Sequence, residues 1–389
     1  MARYDTAVVG GGLLGCAVAW HLAKAGTRVL LVEKDQLNRH ASGQNAGSLH
    51  FQLEYRMVEH GDDAARLAAR ALPLHLDAMR TWAGLETALG LPCGVAQRGG
   101  LMLAETPAQV AALDRKAALE REYGLDVDVL EGTRLRELAP YLADSVRAAA
   151  HLPGEGKANP RLVTPAFARA AADHGAELRT GHRVTALHRD GGRWHLTGSD
   201  GRTDTADTVV LAAGVWTTEL AAMADVRLPA FPVGLTMSAT ARTTALLPHL
   251  IQHVGRRLSM KQTAEGNILL GGGWPAKLVT RGGRVDLDRN PELRYESLTG
   301  NADAARVVPA VMGLPVIRSW TGMTTLTPDQ LPLLGAVPRR PGLYTATGGS
   351  AFTLGPTYAR LLAATVLGTE PDLPLDDYSP ARFGALNFV

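Results

Sequence analysis

The stretch Tyr4-Asp5-Thr6-Ala7-Val8-Val9-Gly10-Gly11-Gly12-Leu13-Leu14-Gly15 decides the fold. Its first half is a short run with β-branched residues, which predicts a strand. Its second half is G-x-G-x-x-G, followed from Leu13 to Ala25 by small and apolar residues at helical spacing and then by Gly26 as a stop. Arg28 to Glu33 reads as a second strand, apolar nearly throughout, as a parallel strand covered on both faces must be. Each glycine has a separate physical task. Gly10 permits the tight turn, Gly12 lets backbone approach a pyrophosphate, and Gly15 lets helix and strand pack closely. Glu33, 21 positions after Gly12, is placed to accept hydrogen bonds from ribose hydroxyls and would repel a 2′-phosphate. The unit therefore predicts a dinucleotide site and argues against NADP. It does not separate FAD from NAD.

Outward from this unit, the chain alternates α/β pieces with a strand-rich middle. Gly61 to Gly90 reads as mostly helical, with Pro73 as a kink or boundary. Pro107 to Tyr123 reads as a helix capped by Thr106, and Thr164 to His174 as another with Pro165 in its first turn. Asp190-Gly191-Gly192 and Asp200-Gly201 mark hairpin turns before a buried strand at Thr208 to Ala213; Pro229 to Gly273 is strand-rich, and Thr357 to Leu367 is a last helix. Two domains that exchange chain segments fit this order better than one linear boundary.

With 389 residues, 46% of them hydrophobic and 20% charged, the chain can bury a sizeable core. A formal net charge of +2 and the lack of any run of five like charges give no support to nucleic acid or an anionic membrane as partner. Cys16 and Cys93 make neither a disulfide framework nor a metal site, so a reducing, cytoplasmic setting is expected. Thr6 to Ala23 is apolar except for Thr6 and His21, but its four glycines would weaken an inserted helix, and no basic leader precedes it.

Three further segments concern the cofactor. Ala41 to His50 (ASGQNAGSLH) is a small, polar loop after the second strand; Thr208 to Trp216 ends in small residues; Thr347 to Pro356 (TGGSAFTLGP) is a second glycine-rich loop opening a helix. Together with the first fingerprint and Trp320 to Gly335 (WTGMTTLTPDQLPLLG), these resemble, in order and from end to end, the D-amino acid oxidase superfamily of FAD enzymes. The resemblance implies an α/β fold: a Rossmann-like, GR2-type FAD-binding domain from residues 1–80, 150–225 and 325–389. A smaller α+β substrate domain with a large mixed or antiparallel sheet would come from 81–149 and 226–324. It also implies non-covalent FAD, since no Cys stands where sarcosine oxidases attach theirs. Gly10, Gly12, Leu13, Leu14 and Gly15 would lie on the pyrophosphate, with Glu33 and Lys34 near the adenosine ribose. Ala41, Ser42, Ala46, Gly47 and Ser48 would flank phosphate and flavin, and Val184 would meet the adenine. Gly214 and Trp216 would close the ribityl side; Gly348, Gly349, Ser350, Ala351, Phe352, Thr353 and Leu354 would border the isoalloxazine.

Many members of the family carry an Arg two residues after the Gly of W-x-G, where it grips the substrate carboxylate; here that position is Thr324. Ala351 stands where a glycine is usual. The Thr324 variant and the NAGSLH loop look more like the flavin subunits of opine oxidase, hydroxyproline dehydrogenase and hydrogen cyanide synthase. The implied chemistry is oxidation of a C–N bond in an amino acid, imino acid or amine, with electrons passed to an acceptor other than oxygen or to a partner subunit. Oxygen-using oxidase and electron-relay subunit are the rival readings. His50, Trp274 and Thr324 are the substrate-cavity candidates, and Lys261 and Arg318 are candidates to replace the missing clamp. His249 and His253, at i and i+4, lack a third ligand and predict no metal site. Cys16, Met260 and Met323 read as packing residues.

Overall fold

The computed structural model describes residues 3–386. Its first sheet runs in the order Leu333–Ala336, Leu343–Thr347, Thr203–Leu211, Arg3–Val9, Val29–Val32, Glu177–Arg179, parallel except for Leu333–Ala336. The antiparallel pair Val184–Asp190 and Arg193–Gly198 extends from Thr203–Leu211. Strand periodicity shows directly in the packing. Val8, Val29, Leu31 and Val210 enter one core, beneath the helices Leu13–Lys24, Pro160–Asp173 and Gly355–Val366. Ala7, Val9, Leu30, Val32, Val209 and Leu211 enter the core on the opposite face, with Trp194 and Leu220. Both faces are thus covered, as the unbroken apolar strands require.

The second sheet runs in the order Val316–Leu326, Phe231–Arg242, Asn267–Gly271, Ser259–Gln262, Leu250–His253, Gly100–Ala104, Ala148–Leu152, Asp128–Glu131. It is mixed: Leu250–His253 and Gly100–Ala104 are parallel, and the other neighbours are antiparallel. Its strands come from chain segments that alternate with those of the first sheet, so the backbone crosses between the two several times.

Local structure follows the expected punctuation in most places. Pro107–Glu122 begins with a full capping box between Thr106 and Gln109. The region after Gly61 divides into Asp62–Ala69 and Leu72–Leu89, with Pro73 in the first turn of the longer helix and Gly90 ending it at φ +65°. Some boundaries differ: the strand expected at Thr208 to Ala213 runs Thr203–Leu211. The helix expected from Thr164 starts at Pro160, because the Asn159 side chain accepts a hydrogen bond from the Arg161 amide. Pro165 consequently lies inside the helix, where its missing N–H removes one backbone hydrogen bond.

Candidate functional site

A cavity of about 510 Å³ opens at the carboxyl ends of the parallel strands and is closed opposite by the strands Phe231–Arg242 and Val316–Leu326. The glycine turn forms one wall. Gly10 has φ +120°, and an added Cβ would lie 2.5 Å from the Ala212 carbonyl oxygen, so only glycine allows the turn to sit against the neighbouring strand end. Gly15 is fixed by packing alone: its Cβ would lie 1.8 Å from the Gly10 carbonyl oxygen. The Gly11 amide donates to Glu33 Oε2 at 2.6 Å, and the Leu13 amide to Ser42 Oγ at 2.9 Å. Gly12 and Leu14, which also line the cavity, carry the helix-terminal amides that a pyrophosphate would meet.

Glu33 is 8% exposed; its second oxygen accepts from the Asp35 amide at 2.9 Å. Beside it, Lys34 places its ammonium 3.9 Å from the centre of the Trp216 ring, a cation–π contact. The Trp216 indole N–H is buried with no partner, although its ring lines the cavity. Ala41, Ser42, Ala46, Val184, Gly214, Gly348, Ala351 and Phe352 line the same cavity. Gly47, Ser48, Gly349, Ser350, Thr353 and Leu354, neighbours of these in sequence, are not among the lining residues. Gly47 has φ +72° with a Cβ position 2.2 Å from the Ala158 carbonyl oxygen, and its amide donates to Asn45 Oδ1. The second glycine loop takes three consecutive positive φ values, Gly348 +84°, Gly349 +38° and Ser350 +47°. Several contacts brace it: Tyr358 O–H donates to the Gly349 carbonyl, Trp82 N–H to the Thr353 carbonyl, and Thr353 O–H to the Ser48 carbonyl. Ser350 O–H donates to Glu54 Oε1, which Arg56 holds to a low pKa of about 2 although burial opposes it.

The wall opposite the glycine turn is a sheet face. In register, Val233 faces Thr324 and Leu235 faces Gly322 across the two strands, and Leu235, Met237, Gly322 and Thr324, all half-buried, line the cavity. Met323, read from sequence as core filler, also reaches the lining, as do Gln44, Thr325 and Asn290. The arginine and lysine side chains that line the cavity are Lys34 beside Glu33, Arg183 beside Val184, and Arg39 just before the Ala41 loop; the sheet face carries none among the described lining residues.

Other expected candidates are placed elsewhere. His50 is 8% exposed with Nε2 on Ser259 Oγ at 3.0 Å and Nδ1 buried without a partner; burial holds its pKa down to about 4. It lies behind the cavity lining, not in it. Trp274 does not form a cavity wall: its N–H donates to the Arg257 carbonyl and its ring fills the space left by Gly300. Gly272 and Gly273, at φ +123° and +81°, shape the turn that carries the indole there. Lys261 is 3% exposed under the Gly47 loop, where burial drives its pKa well below the ordinary range. Arg318 is exposed over the Trp320 ring. Tyr141 hydrogen-bonds His249, and Glu105 pairs with His253. Cys16 is fully buried, and burial pushes its thiol pKa up, the state of a packing residue.

The arrangement suits FAD on structural grounds. There is a glycine cradle that Cβ atoms would fill, an acidic residue at one end, an orphaned indole N–H in the wall, and a second glycine loop at the other end.

Comparison with known proteins agrees with this geometry. The profile of the family described as FAD dependent oxidoreductase matches residues 5–365. The chain is 29% identical to glycine oxidase of Geobacillus kaustophilus, over 98% of this chain and 97% of that protein. It is 26% identical to an opine oxidase subunit from Rhizobium meliloti, over 99% of each. The crystal structure of the Geobacillus glycine oxidase superposes with a TM-score of 0.85 at 27% identity, covering 98% of this chain and 99% of that one.

Proposed function

The chain belongs to the family of FAD dependent oxidoreductases, and from that premise we propose that it oxidises the C–N bond of a small amino acid, imino acid or secondary amine. Two full-length relatives, one named glycine oxidase and the other an opine oxidase subunit, support that substrate class. FAD, when bound, supplies the acceptor for a hydride equivalent taken from the carbon beside the substrate nitrogen. The chain's own contribution is orientation and dryness. Leu235, Met237 and Met323 exclude water from the sheet side of the cavity, and the Thr324 hydroxyl offers one hydrogen bond to orient a polar substituent. Residues 1–80, 150–225 and 325–389 would hold the cofactor, while 81–149 and 226–324 would shape the substrate side.

One observation carries the finer reading: the sheet face opposite the glycine turn brings no guanidinium or ammonium to the described cavity lining, to which it contributes Thr324. A free α-carboxylate therefore lacks a bidentate clamp there, which favours N-substituted amino acids and secondary amines over glycine itself. Electrons pass to an acceptor other than oxygen, directly or through a partner subunit. That step rests on full-length similarity to one component of an opine oxidase. Oxygen use stays as the second reading because of the similarity to glycine oxidase. No helix among the described residues is long and apolar enough to cross a membrane. The two free, buried cysteines support a reducing, cytoplasmic setting. Anaerobic bleaching of bound flavin by a panel of D-amino acids, N-alkyl amino acids, cyclic imino acids and opines tests the substrate class. If none bleaches it, the proposal fails. Peroxide yield in air against turnover with an artificial acceptor decides the second step.

A further inference from the structure

Between Lys277 and Glu292 the chain leaves the second sheet's neighbourhood and returns, the excursion being closed at its base by paired backbone hydrogen bonds between those two residues. Its outer part is a short ribbon of Thr280–Arg281 and Arg284–Val285. Its returning limb runs past the cavity, which Asn290 lines. Two residues before Asn290, Asp288 accepts a hydrogen bond from Lys34 Nζ at 2.6 Å and binds Arg183 Nη2 through both carboxylate oxygens at 2.8 Å. The partners lie 254 and 105 residues away in sequence. Both belong to the end of the cavity that Glu33 marks: Lys34 stacks on the cavity-lining Trp216, and Arg183 lines the cavity next to Val184. The two cations hold the Asp288 carboxyl down to about 2, so this link is intact at any working pH.

We propose that Asp288 is a positioning residue for the cofactor: it clasps Lys34 and Arg183 over the adenosine end of the cavity and thereby slows FAD release. Three contacts converge on one carboxylate; Lys34 also pairs with Asp35 at 3.2 Å, but Asp288 is the carboxylate that joins Lys34 to Arg183. Because Asp288 is half exposed, the clasp is partly screened and weakens with salt. The excursion thus couples substrate-side backbone to cofactor retention without touching the reacting atoms. The inference rests on the reading that FAD lies with its adenosine at Glu33.

The test measures FAD dissociation from the holoprotein by recovery of flavin fluorescence, at low and high salt. D288N is expected to release FAD about tenfold faster at low salt, the size suited to losing a small network of partly screened charge contacts. At high salt the wild-type rate should rise toward that of the variant. D288E should recover most of the retention, and the surface control D303N, which loses only a pair with Arg306, should match wild type. Release from D288N within twofold of wild type at low salt overturns the proposal, as does a difference that persists unchanged at high salt. Glu33→Ala separates this from failure of the underlying reading. If it too leaves FAD affinity unchanged, the cofactor orientation is wrong; if it alone weakens binding, only the clasp fails.

Discussion

Replacing Glu155 by alanine should destabilise the protein more than any single exposed carboxylate, although Glu155 is not part of the cavity. Its Oε1 accepts the backbone amides of Phe51 and Gln52 at 2.7 and 2.8 Å, and its Oε2 accepts the Gln52 side-chain amide at 3.0 Å. The next amide, Leu53, donates to Glu120 Oε1, and Lys116 joins Glu120 to Gln52. All four network side chains are buried: Gln52, Glu120 and Glu155 are 0% exposed and Lys116 3%. The segment after His50 has no sheet partner for these amides, so the two carboxylates do the work of a neighbouring strand. Glu155→Ala leaves two buried backbone donors without partners, each worth about 1–3 kcal/mol, and reduces the Gln52 side-chain amide to its 3.4 Å contact with the Ala150 carbonyl. Water entering the gap, and relief of the burial that lifts the Glu155 pKa to about 7, offset part of this. A net loss of about 2–4 kcal/mol is expected, which at about 2.1 cal/mol/K per residue over the chain lowers Tm by about 3–5 °C. Differential scanning calorimetry of the variant beside the exposed control Glu137→Ala measures it. A fall of less than about 2 °C, or one equal to the control's, would refute the claim that carboxylates replace a strand here.

The remaining expectations concern cofactor, substrate and pH. Gly15→Ala forces a Cβ to within 1.8 Å of the Gly10 carbonyl oxygen, so the helix start must shift and flavin content after gel filtration should fall by more than half. Thr324→Arg puts a guanidinium on the sheet face and should lower KM for unsubstituted α-amino acids at least fivefold relative to secondary amines; an unchanged ratio would show that Thr324 does not face the substrate. Burial holds His21, His50, His75 and His249 neutral, with pKa values of about 4, below their ordinary 6.5. Their contribution is complete above pH 6.5 and is lost as pH falls toward 4, while the raised Glu155 acts in the opposite direction between about 4.5 and 7. His253, held down to about 4, adds to the histidines, and the buried Glu120, raised above its ordinary value by burial, adds to Glu155; with the histidines in the majority, Tm should fall between pH 6.5 and 5, and a Tm that rises over that range would contradict the assignment.

The parts readable from sequence are those in which a local backbone requirement coincides with function. Gly10, Gly12, Gly15 and Glu33 report a turn, a close approach and a strand end within a single β-α-β unit, and that unit folds as read. Cross-chain relations left no such local trace. Thr324 was visible only through its position after W-x-G, while Leu235 and Met237 carry no motif. They reach the cavity because residues 231–242 and 316–326 pair in a register that puts Val233 beside Thr324 and Leu235 beside Gly322. Alternation within either strand says which residues share a face; it does not say which face meets the cofactor.

Trp274 illustrates the converse. Three glycines before an aromatic suggest a strand end opening onto a cavity, yet what places the indole is a distant residue, Gly300, whose missing side chain leaves the space that the ring fills. His50 lies between these cases: its loop does border the cavity, but buried carboxylates from residues 120 and 155 fix the segment that follows, and they put the imidazole on Ser259. Where a side chain's position depends on partners a hundred residues away, spacing along the chain carries no signal for it. In this fold those distant partners are concentrated behind the glycine-rich loops and on the facing sheet, so the part of the cavity away from the first glycine turn is the less readable half.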